Sequence, residues 1–145
     1  MKTMIEYVKN ELLQREYNIA IDFTMGNGND TLTLSRLAKK VYSFDIQDKA
    51  LENTKKLLND IDNVELILDS HENFDKYVQN FDVGIFNLGY LPQGDHTITT
   101  KVSTTLVAIK KAVQYLNEKG HLFIVVYIGH FEGKEESLKI DEYVS

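Results

Sequence analysis

The segment DFTMGNGNDT, from Asp22 to Thr31, holds two acids, two side-chain amides and two glycines within a short span. Gly26 and Gly28 allow a tight backbone turn and a close approach to a ligand. The acids, Asp22 and Asp30, suit a ligand that carries an ammonium group, whereas a pyrophosphate is better bound by bare amides at a helix N-terminus. A plain turn between a strand and a helix is the alternative. The residues of this segment that we expect to contact a ligand are Asp22, Gly26, Asn27, Gly28 and Asn29.

Polar side chains also follow two later apolar segments. Asp45 ends the segment VYSFD, a position from which an acid accepts hydrogen bonds from ribose hydroxyls in nucleotide-binding α/β folds. Asp69, Ser70 and His71 follow the segment VELIL and can form hydrogen bonds with the edge of an adenine. Helix capping is the alternative role at both places, although Asp48 is better placed than Asp45 to cap the helix that follows.

A side-chain amide and an aromatic ring stand where a further apolar segment ends. In FNLGYLPQGD, Phe86–Asp95, Asn87 follows the apolar run, Tyr90 comes three residues later, and Pro92 is the only proline of the chain. The Asn87 carbonyl can accept a hydrogen bond, Tyr90 can stack on a flat ligand, and Pro92 limits the freedom of the loop. The alternative for Tyr90 is a loop aromatic that packs on the core.

Five short apolar segments, rich in Val, Ile and Phe, indicate the buried strands of a parallel sheet. They are Ile19–Phe23, Val41–Asp45, Val64–Leu68, Val83–Asn87 and His121–Tyr127. Helical patterns separate them, which predicts βαβ units with right-handed crossovers and a single α/β domain. Ligands of such sheets bind beyond the carboxyl ends of the strands, where the strand order reverses. We therefore expect the polar groups described above to meet at that edge.

Helical periodicity indicates the elements between the strands. The N-terminal stretch is predicted as a helix, a second helix runs from a cap at Asp30 to about Ala38, and a short one covers Asn73–Val78. A helix from Lys49 to about Asn59 is expected to turn these residues inward: Leu51, Thr54, Leu57, Leu58 and Ile61. The apolar stripe of the last helix is predicted to be Val102, Leu106, Ile109, Val113 and Leu116.

The composition narrows the class of protein. The 145 residues are about the size of one domain. The formal net charge of −6 argues against a broad electrostatic grip on nucleic acid, without excluding a local basic patch. Without cysteine the chain can form neither a disulfide nor a cysteine zinc site. We see no signal-peptide pattern and no apolar run of membrane length, so we expect a cytoplasmic protein with no membrane partner. We also expect no bound metal.

The order of these features resembles that of the class I S-adenosylmethionine-dependent methyltransferases, from about Ile19 to Tyr127. The resemblance implies a Rossmann-like parallel sheet of order 3-2-1-4-5, flanked by helices. It also implies S-adenosylmethionine as the cofactor, with its methionine part on the glycine loop, its ribose on Asp45 and its adenine at the end of the third strand. A nicotinamide-dependent oxidoreductase is disfavoured, because Thr31 stands where a dinucleotide fingerprint requires a third glycine.

Five blocks in order are similar to a small bacterial family first labelled rRNA methylases: DFTMGNGNDT, FDIQ, DSHEN, FNLGYLPQGDHTITT and YIGHFEGKEE. That family is tied to methylation of 5-aminomethyl-2-thiouridine at the wobble position of tRNA. The resemblance implies tRNA as partner and an exocyclic primary amine as methyl acceptor. Phe23 and Met25 are bulkier than the family's usual residues, which implies a narrower cofactor pocket. The cofactor contacts that the resemblance implies are Asn27, Asn29, Asp45, Gln47, Ser70 and His71.

The pattern Asn-x-x-Tyr at Asn87 and Tyr90 resembles the Asn-Pro-Pro-Tyr motif of amino methyltransferases, with Leu-Gly in place of the two prolines. Methyl transfer from a sulfonium is an in-line displacement. A carbonyl of Asn87 can therefore aim the attacking amine, and Tyr90 can hold a flat base by stacking, worth about 1–3 kcal/mol. Asp95 and His130 are the candidate proton acceptors, with histidine the better suited near neutral pH, and solvent is the alternative.

The C-terminal segment KIDEYVS is expected to lie within or just after a helix. Family chains continue through two more strands that form a hairpin at the sheet edge, so the resemblance implies a shortened single domain over residues 1–145. The fifth strand would then be a bare apolar edge, which favours pairing with a second copy in a homodimer. The rival functions are a small-molecule methyltransferase, which the acidic charge favours, and a non-enzymatic cofactor-binding or assembly module, which the missing strands favour.

Overall fold

The computed structural model describes residues 16–90, 96–129 and 136–144 of the chain. Strands and helices alternate through most of this length, as the sequence predicts. In chain order the elements are β1 (Tyr17–Asp22), α1 (Asn29–Ser35), β2 (Ala38–Asp45), α2 (Asp48–Leu57), β3 (Val64–Leu68), a 3₁₀ helix (His71–Lys76), β4 (Phe81–Tyr90), α3 (His96–Tyr115), β5 (Leu116–Gly129) and β6 (Glu136–Val144). The helix predicted at the N-terminus lies outside the described residues.

The strands form one sheet in the order β3-β2-β1-β4-β5-β6. The first five are parallel, which confirms the predicted order 3-2-1-4-5. The chain passes from β1 outward to β3 and then returns to β4 on the other side of β1. Asp22, the last residue of β1, is opposite Ser43 of β2 and Ile85 of β4. The switch point of the sheet therefore lies between β1 and β4.

The expectation for the C-terminal segment is wrong. Glu136–Val144 is a strand rather than a helix, and it pairs antiparallel with β5 from His121 opposite Val144 to Gly129 opposite Glu136. Leu138 and Ile140 alternate with polar neighbours there, a period of two that indicates a strand and that the helical prediction overlooked. Because β6 covers β5, the fifth strand is not a bare edge, and the reason for expecting a second copy there falls away.

Two hydrophobic clusters occupy the two faces of the sheet, because successive strand residues point to opposite sides. Phe86 and Leu122 belong to the cluster beneath α3 and the 3₁₀ helix, whereas Ile85 and Phe123 belong to the cluster beneath α1. The first cluster is the more aromatic. Phe23 stacks on Phe86 with ring centroids 4.1 Å apart and contacts other aromatic rings of the same cluster edge-on.

The helices differ from the predictions in their bounds and in the faces that they bury. α1 ends at Ser35 rather than about Ala38, because Ala38 already begins β2. Leu57 of α2 was expected inside but is 41% exposed, whereas Ala50, Thr54 and Leu58 are buried. The 3₁₀ helix occupies most of the short helix predicted over Asn73–Val78, starting two residues earlier.

The inward face of α3 is rotated from the predicted stripe. Leu106 is 53% and Val113 46% exposed, while Ala108 and Ala112 are completely buried. Small alanines let the helix approach the aromatic cluster closely, a preference that a stripe of large side chains does not indicate. The side chain of Val102 lies outside the description. Within the described ranges no helix is long and apolar enough to cross a membrane.

Candidate functional site

A cavity of about 750 Å³ opens at the carboxyl ends of β1 to β4, at the switch point of the sheet. This volume is typical of a site for a small ligand or cofactor. Its wall on the α3 side is formed by Thr104, Thr105, Leu106 and Ile109. The sequence-predicted residues that line it are Gly26, Asn27, Asp45, Gln47, Asp69, Ser70, His71 and Asn87. Asp22, Gly28 and Asn29 are not among the lining residues.

Asp22 lies behind the first loop and shapes it from within. Its carboxylate accepts the backbone N–H of Thr24 at 3.0 Å and the hydroxyl of Thr31 at 2.6 Å. The Thr31 hydroxyl also lies 2.8 Å from that of Ser43 on β2. Complete burial, followed by the nearby Asp30 carboxylate, raises the pKa of Asp22 to about 7. The structure thus gives Asp22 a role in positioning the loop, which the sequence did not distinguish from ligand contact.

The two loop glycines adopt left-handed backbone conformations, with φ of 55° at Gly26 and 89° at Gly28. A Cβ on Gly28 would lie 2.7 Å from the Thr54 side chain of α2, so the loop and this helix can be this close only with glycine there. Gly28 is also the N-cap residue of α1. The prediction that Asp30 caps this helix is wrong, since Asp30 lies in its first turn.

Asp45 connects the end of β2 to the glycine loop. Its carboxylate accepts the backbone N–H of Gly26 at 3.1 Å and that of Gln47 at 3.0 Å. The N-cap residue of α2 is Gln47, so neither Asp45 nor Asp48 has the capping role that was the alternative. A carboxylate has about four lone-pair sites, and Asp45 lines the cavity, so it keeps acceptor capacity for a ligand.

The residues after β3 are more engaged within the protein than the sequence indicated. Asp69 accepts from the side chains of Asn73 at 3.0 Å and Tyr77 at 2.7 Å, and these hydrogen bonds lower its pKa. Ser70 is the N-cap of the 3₁₀ helix, where its hydroxyl accepts the Glu72 N–H in a long contact of 3.4 Å. The capping alternative therefore holds at Ser70, while its O–H remains a donor at the cavity wall.

His71 links the end of β1 to α3 through both of its ring nitrogens. Nδ1 lies 2.9 Å from the backbone carbonyl of Phe23, which can only accept, so the proton is on Nδ1. Nε2 then accepts from the Thr105 hydroxyl at 3.1 Å. Burial lowers the pKa of His71 and favours this neutral ring. With both nitrogens engaged, the ring acts as a wall of the cavity, and its hydrogen bond to an adenine stays a prediction.

Asn87 is held in place from the first loop and from α1. Its backbone N–H donates to the Thr24 hydroxyl at 2.7 Å, and its side-chain Nδ2 donates to the Asp30 carboxylate at 3.2 Å. Its position in the sheet is fixed by pairing with Val125 of β5. The sequence did not predict that Thr24 and Asp30 hold Asn87. Their place in the same glycine-rich segment was the only local indication of this role.

The predicted catalytic residues beyond Asn87 are only partly described. β4 continues to Tyr90 instead of ending at Asn87, with a break in the register with β5 between these two residues. Tyr90 is thus in a strand rather than a loop, and its side chain lies outside the description. Asp95 and His130 lie outside the described residues altogether.

Phe23 and Met25 were expected to narrow the cofactor pocket, but their side chains are mostly buried in the protein interior. Both side chains are buried, and Phe23 packs into the aromatic cluster, where a Cβ on Gly84 would lie only 2.7 Å from its ring. Gly84 thus makes room for the phenyl group inside the core. Phe23 still contributes to the cavity wall, whereas Met25 is not among the lining residues.

The parallel sheet of order 3-2-1-4-5, its flanking helices and the cavity at its switch point define the Rossmann-like class I methyltransferase fold. Within this class, the chain belongs to the family described as "Putative rRNA methylase", whose model matches residues 41–145.

Three similar proteins illustrate this membership. The chloroplastic tRNA (mnm(5)s(2)U34)-methyltransferase of Arabidopsis thaliana is 36% identical over 99% of this chain, which spans 58% of that relative's length. SMU.1697c of Streptococcus mutans, a putative methyltransferase solved in complex with SAH, is 49% identical with a TM-score of 0.77, over 88% of this chain and 74% of that one. A putative rRNA methylase from Clostridium thermocellum is 41% identical with a TM-score of 0.78, over 92% and 76%.

Proposed function

We propose that this protein transfers a methyl group from S-adenosylmethionine to the exocyclic amine of a modified uridine at the wobble position of tRNA. The observation that carries the proposal is Asn87, whose side chain lines the switch-point cavity while its Nδ2 group is held by Asp30. Because Nδ2 donates to Asp30, the carbonyl oxygen is the end of the Asn87 amide left to accept a hydrogen bond from a ligand. Support for tRNA comes from the name of the chloroplastic relative.

The residues around the cavity fit S-adenosylmethionine by their chemistry. Asp45 offers carboxylate lone pairs to ribose hydroxyls, as acids at this position of nucleotide-binding folds do. Gly26 and Asn27 line the part of the cavity nearest β1. Gly26 has no side chain and is exposed, so the methionine part of the cofactor can approach the loop backbone there. Ser70 can donate its hydroxyl to the adenine. A relative 49% identical to this chain was solved with SAH, the product form of this cofactor.

The bound cofactor would supply an electrophilic methyl group on a positively charged sulfur. Asn87 would accept a hydrogen bond from the acceptor amine through its carbonyl oxygen and so direct the nitrogen lone pair toward that methyl. The rate gain comes from orientation, because Asn87 cannot itself remove a proton. Tyr90, three residues further along β4, would hold the base of the nucleotide by stacking. The product ammonium can lose its proton to solvent after transfer.

The test is nucleoside mass spectrometry of tRNA incubated with the protein and isotope-labelled S-adenosylmethionine. We expect label on the 5-aminomethyl-2-thiouridine nucleoside. The matched control is tRNA from cells that do not install the aminomethyl group, because an unmodified uridine offers no exocyclic amine. Label that appears equally in both tRNA pools, or in neither, would contradict the proposal.

A small-molecule methyltransferase is the second candidate, favoured by the net charge of −6, which is unfavourable for binding a polyanion. It predicts transfer to free amines of low molecular weight with no gain when the amine is part of tRNA. Comparing the aminomethyl nucleoside with intact tRNA as substrates separates the two candidates. The proposed function requires a far higher kcat/KM for tRNA.

A further inference from the structure

We propose that Asp30 is a positioning residue that sets the orientation of the Asn87 side-chain amide, so that its carbonyl oxygen faces the acceptor amine. The inference rests on the proposed function, which it deepens by assigning a role to a residue outside the cavity wall. Asp30 lies in the first turn of α1, and Asn87 lies near the end of β4. They are 57 positions apart in the chain and meet only in the folded protein.

The chemistry of the two side chains decides which end of the amide faces Asp30. An amide can be turned over by half a rotation with little change in shape, which exchanges its oxygen and its nitrogen. An ionised carboxylate only accepts hydrogen bonds, so the contact of 3.2 Å between Asp30 Oδ2 and Asn87 requires the Nδ2 end. The opposite orientation would bring two acceptor oxygens together.

The remaining freedom of Asn87 is restricted by contacts that Asp30 does not make. Its backbone N–H donates to Thr24 Oγ1 at 2.7 Å, and its pairing with Val125 holds the residue in the sheet. These contacts do not prevent a half-rotation of the side-chain amide, and the hydrogen bond to Asp30 does. Asn87 lines the cavity, whereas Asp30 does not.

The orientation matters because the acceptor nitrogen has one lone pair, which must point at the methyl group. A carbonyl oxygen accepts an N–H of the amine and leaves the lone pair free. A turned amide would instead donate an N–H to that lone pair and block the attack. In the productive step the nitrogen–carbon bond forms, the carbon–sulfur bond breaks with its electron pair going to sulfur, and the ammonium later releases its proton to water.

Asp30 could alternatively act on the substrate as a proton acceptor, or only support the start of α1 by its charge. The first alternative makes Asp30 act independently of Asn87. The second makes its effect one of stability, shared with any acid in the first turn of a helix. Asp48, an exposed acid in the first turn of α2, is therefore a matched control.

The first experiment measures the amide itself and needs no substrate. In protein labelled with ¹⁵N at asparagine, the side-chain signal of Asn87 is assigned by its loss in Asn87→Ala. We expect its side-chain hydrogens to exchange slowly with solvent in the wild type and in Asp48→Ala, and at least about tenfold faster in Asp30→Ala, because the hydrogen bond is lost. Equal exchange in wild type and Asp30→Ala would overturn the proposal.

The second experiment is a double-mutant cycle on methyl transfer to tRNA. We expect Asp30→Ala to lower kcat about tenfold or more, with SAH affinity and acceptor KM changed less than about twofold, since positioning is lost and binding is kept. Asp30→Asn, which permits both amide orientations, should lose less than Asp30→Ala. In the Asn87→Ala background, Asp30→Ala should cost almost nothing further.

The outcomes are distinguishable. The same loss from Asp30→Ala in both backgrounds would show that Asp30 does not act through Asn87, and would overturn the proposal. A fall in melting temperature shared with Asp48→Ala, with unchanged kcat, would assign Asp30 to the helix start and would also overturn it. If the wild type methylates no tRNA amine, the proposed function fails, and the amide exchange alone then decides whether Asp30 orients Asn87.

Discussion

Asp22 and Asp82 lie at opposite ends of the paired strands β1 and β4, and both accept hydrogen bonds from nearby backbone. Asp82, at the amino end, accepts the N–H groups of Asn18 at 3.1 Å and Ile19 at 2.9 Å, and the side-chain amide of Asn117 at 2.9 Å. It thereby joins β1, β4 and β5 at the amino ends of β1 and β4. The described cavity residues lie at the opposite, carboxyl ends of the strands.

Asp22, at the carboxyl end, has a different task. It is fully buried, and its partners Thr24 and Thr31 belong to the loop that lines the cavity and to the helix that follows it. Thr24 in turn holds the backbone of Asn87. The same type of side chain thus stabilises the sheet at one end and shapes the candidate site at the other. Substitutions at the two ends should therefore separate activity from stability.

The largest expected effect is at Asn87. Asn87→Ala should lower kcat about 100-fold or more, as lost positioning of a reacting group does, while SAH affinity changes little. The matched substitution at the amino end is Asn117→Ala, which removes a side-chain amide bonded to Asp82 and should leave kcat unchanged. If Asn87→Ala instead loses SAH binding and stability in parallel, with no selective loss of transfer, Asn87 is only a packing residue of β4.

The next effect is at Asp45. Asp45→Ala should weaken SAH binding by about 1.5–3 kcal/mol, because the ribose loses a charged acceptor and the Gly26 N–H loses its partner. Isothermal calorimetry measures the affinity, and Asp48→Ala is the control for removing a nearby acid. A lower melting temperature with unchanged affinity would reduce Asp45 to a structural residue.

Substitutions of Tyr90 test whether the carboxyl ends of the strands also bind the base of the methyl acceptor. Tyr90→Ala should raise KM for tRNA by the equivalent of about 1–3 kcal/mol of lost stacking, and Tyr90→Phe should change it little because the ring is kept. Steady-state kinetics with tRNA measures both variants. Equal losses in the two would point to the hydroxyl and contradict stacking as the role of Tyr90.

Asp82 tests the amino end. Asp82→Ala should lower the free energy of unfolding by about 1–2 kcal/mol, since the Asn18 and Ile19 N–H groups and the Asn117 amide lose their acceptor. Denaturant unfolding measures this loss. The kcat and SAH affinity should remain those of the wild type, and a selective loss of either would break the separation between the two ends.

The last expected effect is a pH dependence of stability at Asp22. Burial first, and the Asp30 charge second, raise its pKa from 3.8 to about 7, so between these values the folded protein binds a proton that the unfolded chain releases. The stabilisation linked to Asp22 is therefore fully present below about pH 4 and is lost as the pH rises through about 7. Between these values the free energy of unfolding falls by about 1 kcal/mol per pH unit.

Asp22→Asn, which resembles the protonated carboxyl, should remove this dependence. Denaturant unfolding of both proteins at pH 5, 6, 7 and 8 measures the difference, and the variant should gain on the wild type as the pH rises. A difference that stays constant over this range would mean that Asp22 does not change its protonation there.

The strands and their parallel direction were predictable from the sequence because the apolar strand segments and the helical patterns between them are local signals. β3 has the predicted bounds, Val64–Leu68, and the other parallel strands differ from their predictions mainly at the ends. The resemblance to the class I methyltransferases added the sheet order. Gly26 and Gly28 were recognisable for the same reason, since the demand for a left-handed turn is met by single residues.

The pairing of side chains across the fold was decided only by the tertiary structure. Asp30 was predicted as a helix cap, yet its partner is Asn87 on a distant strand. His71 was expected to be free for a ligand, and α3 supplies Thr105 to one of its nitrogens. Such hydrogen bonds depend on which elements lie side by side, and no local pattern records this.

The sequence by itself thus determined the class of fold, the edge of the sheet where polar groups gather and the residues Asn87 and Asp45 as candidates. The tertiary structure decided which of these groups face the cavity, which face of α3 is buried and that β6 covers β5. The physical reason is one of range. Backbone conformation and strand burial follow from neighbouring residues, whereas hydrogen-bond partners and helix faces follow from packing between residues that are far apart in the chain.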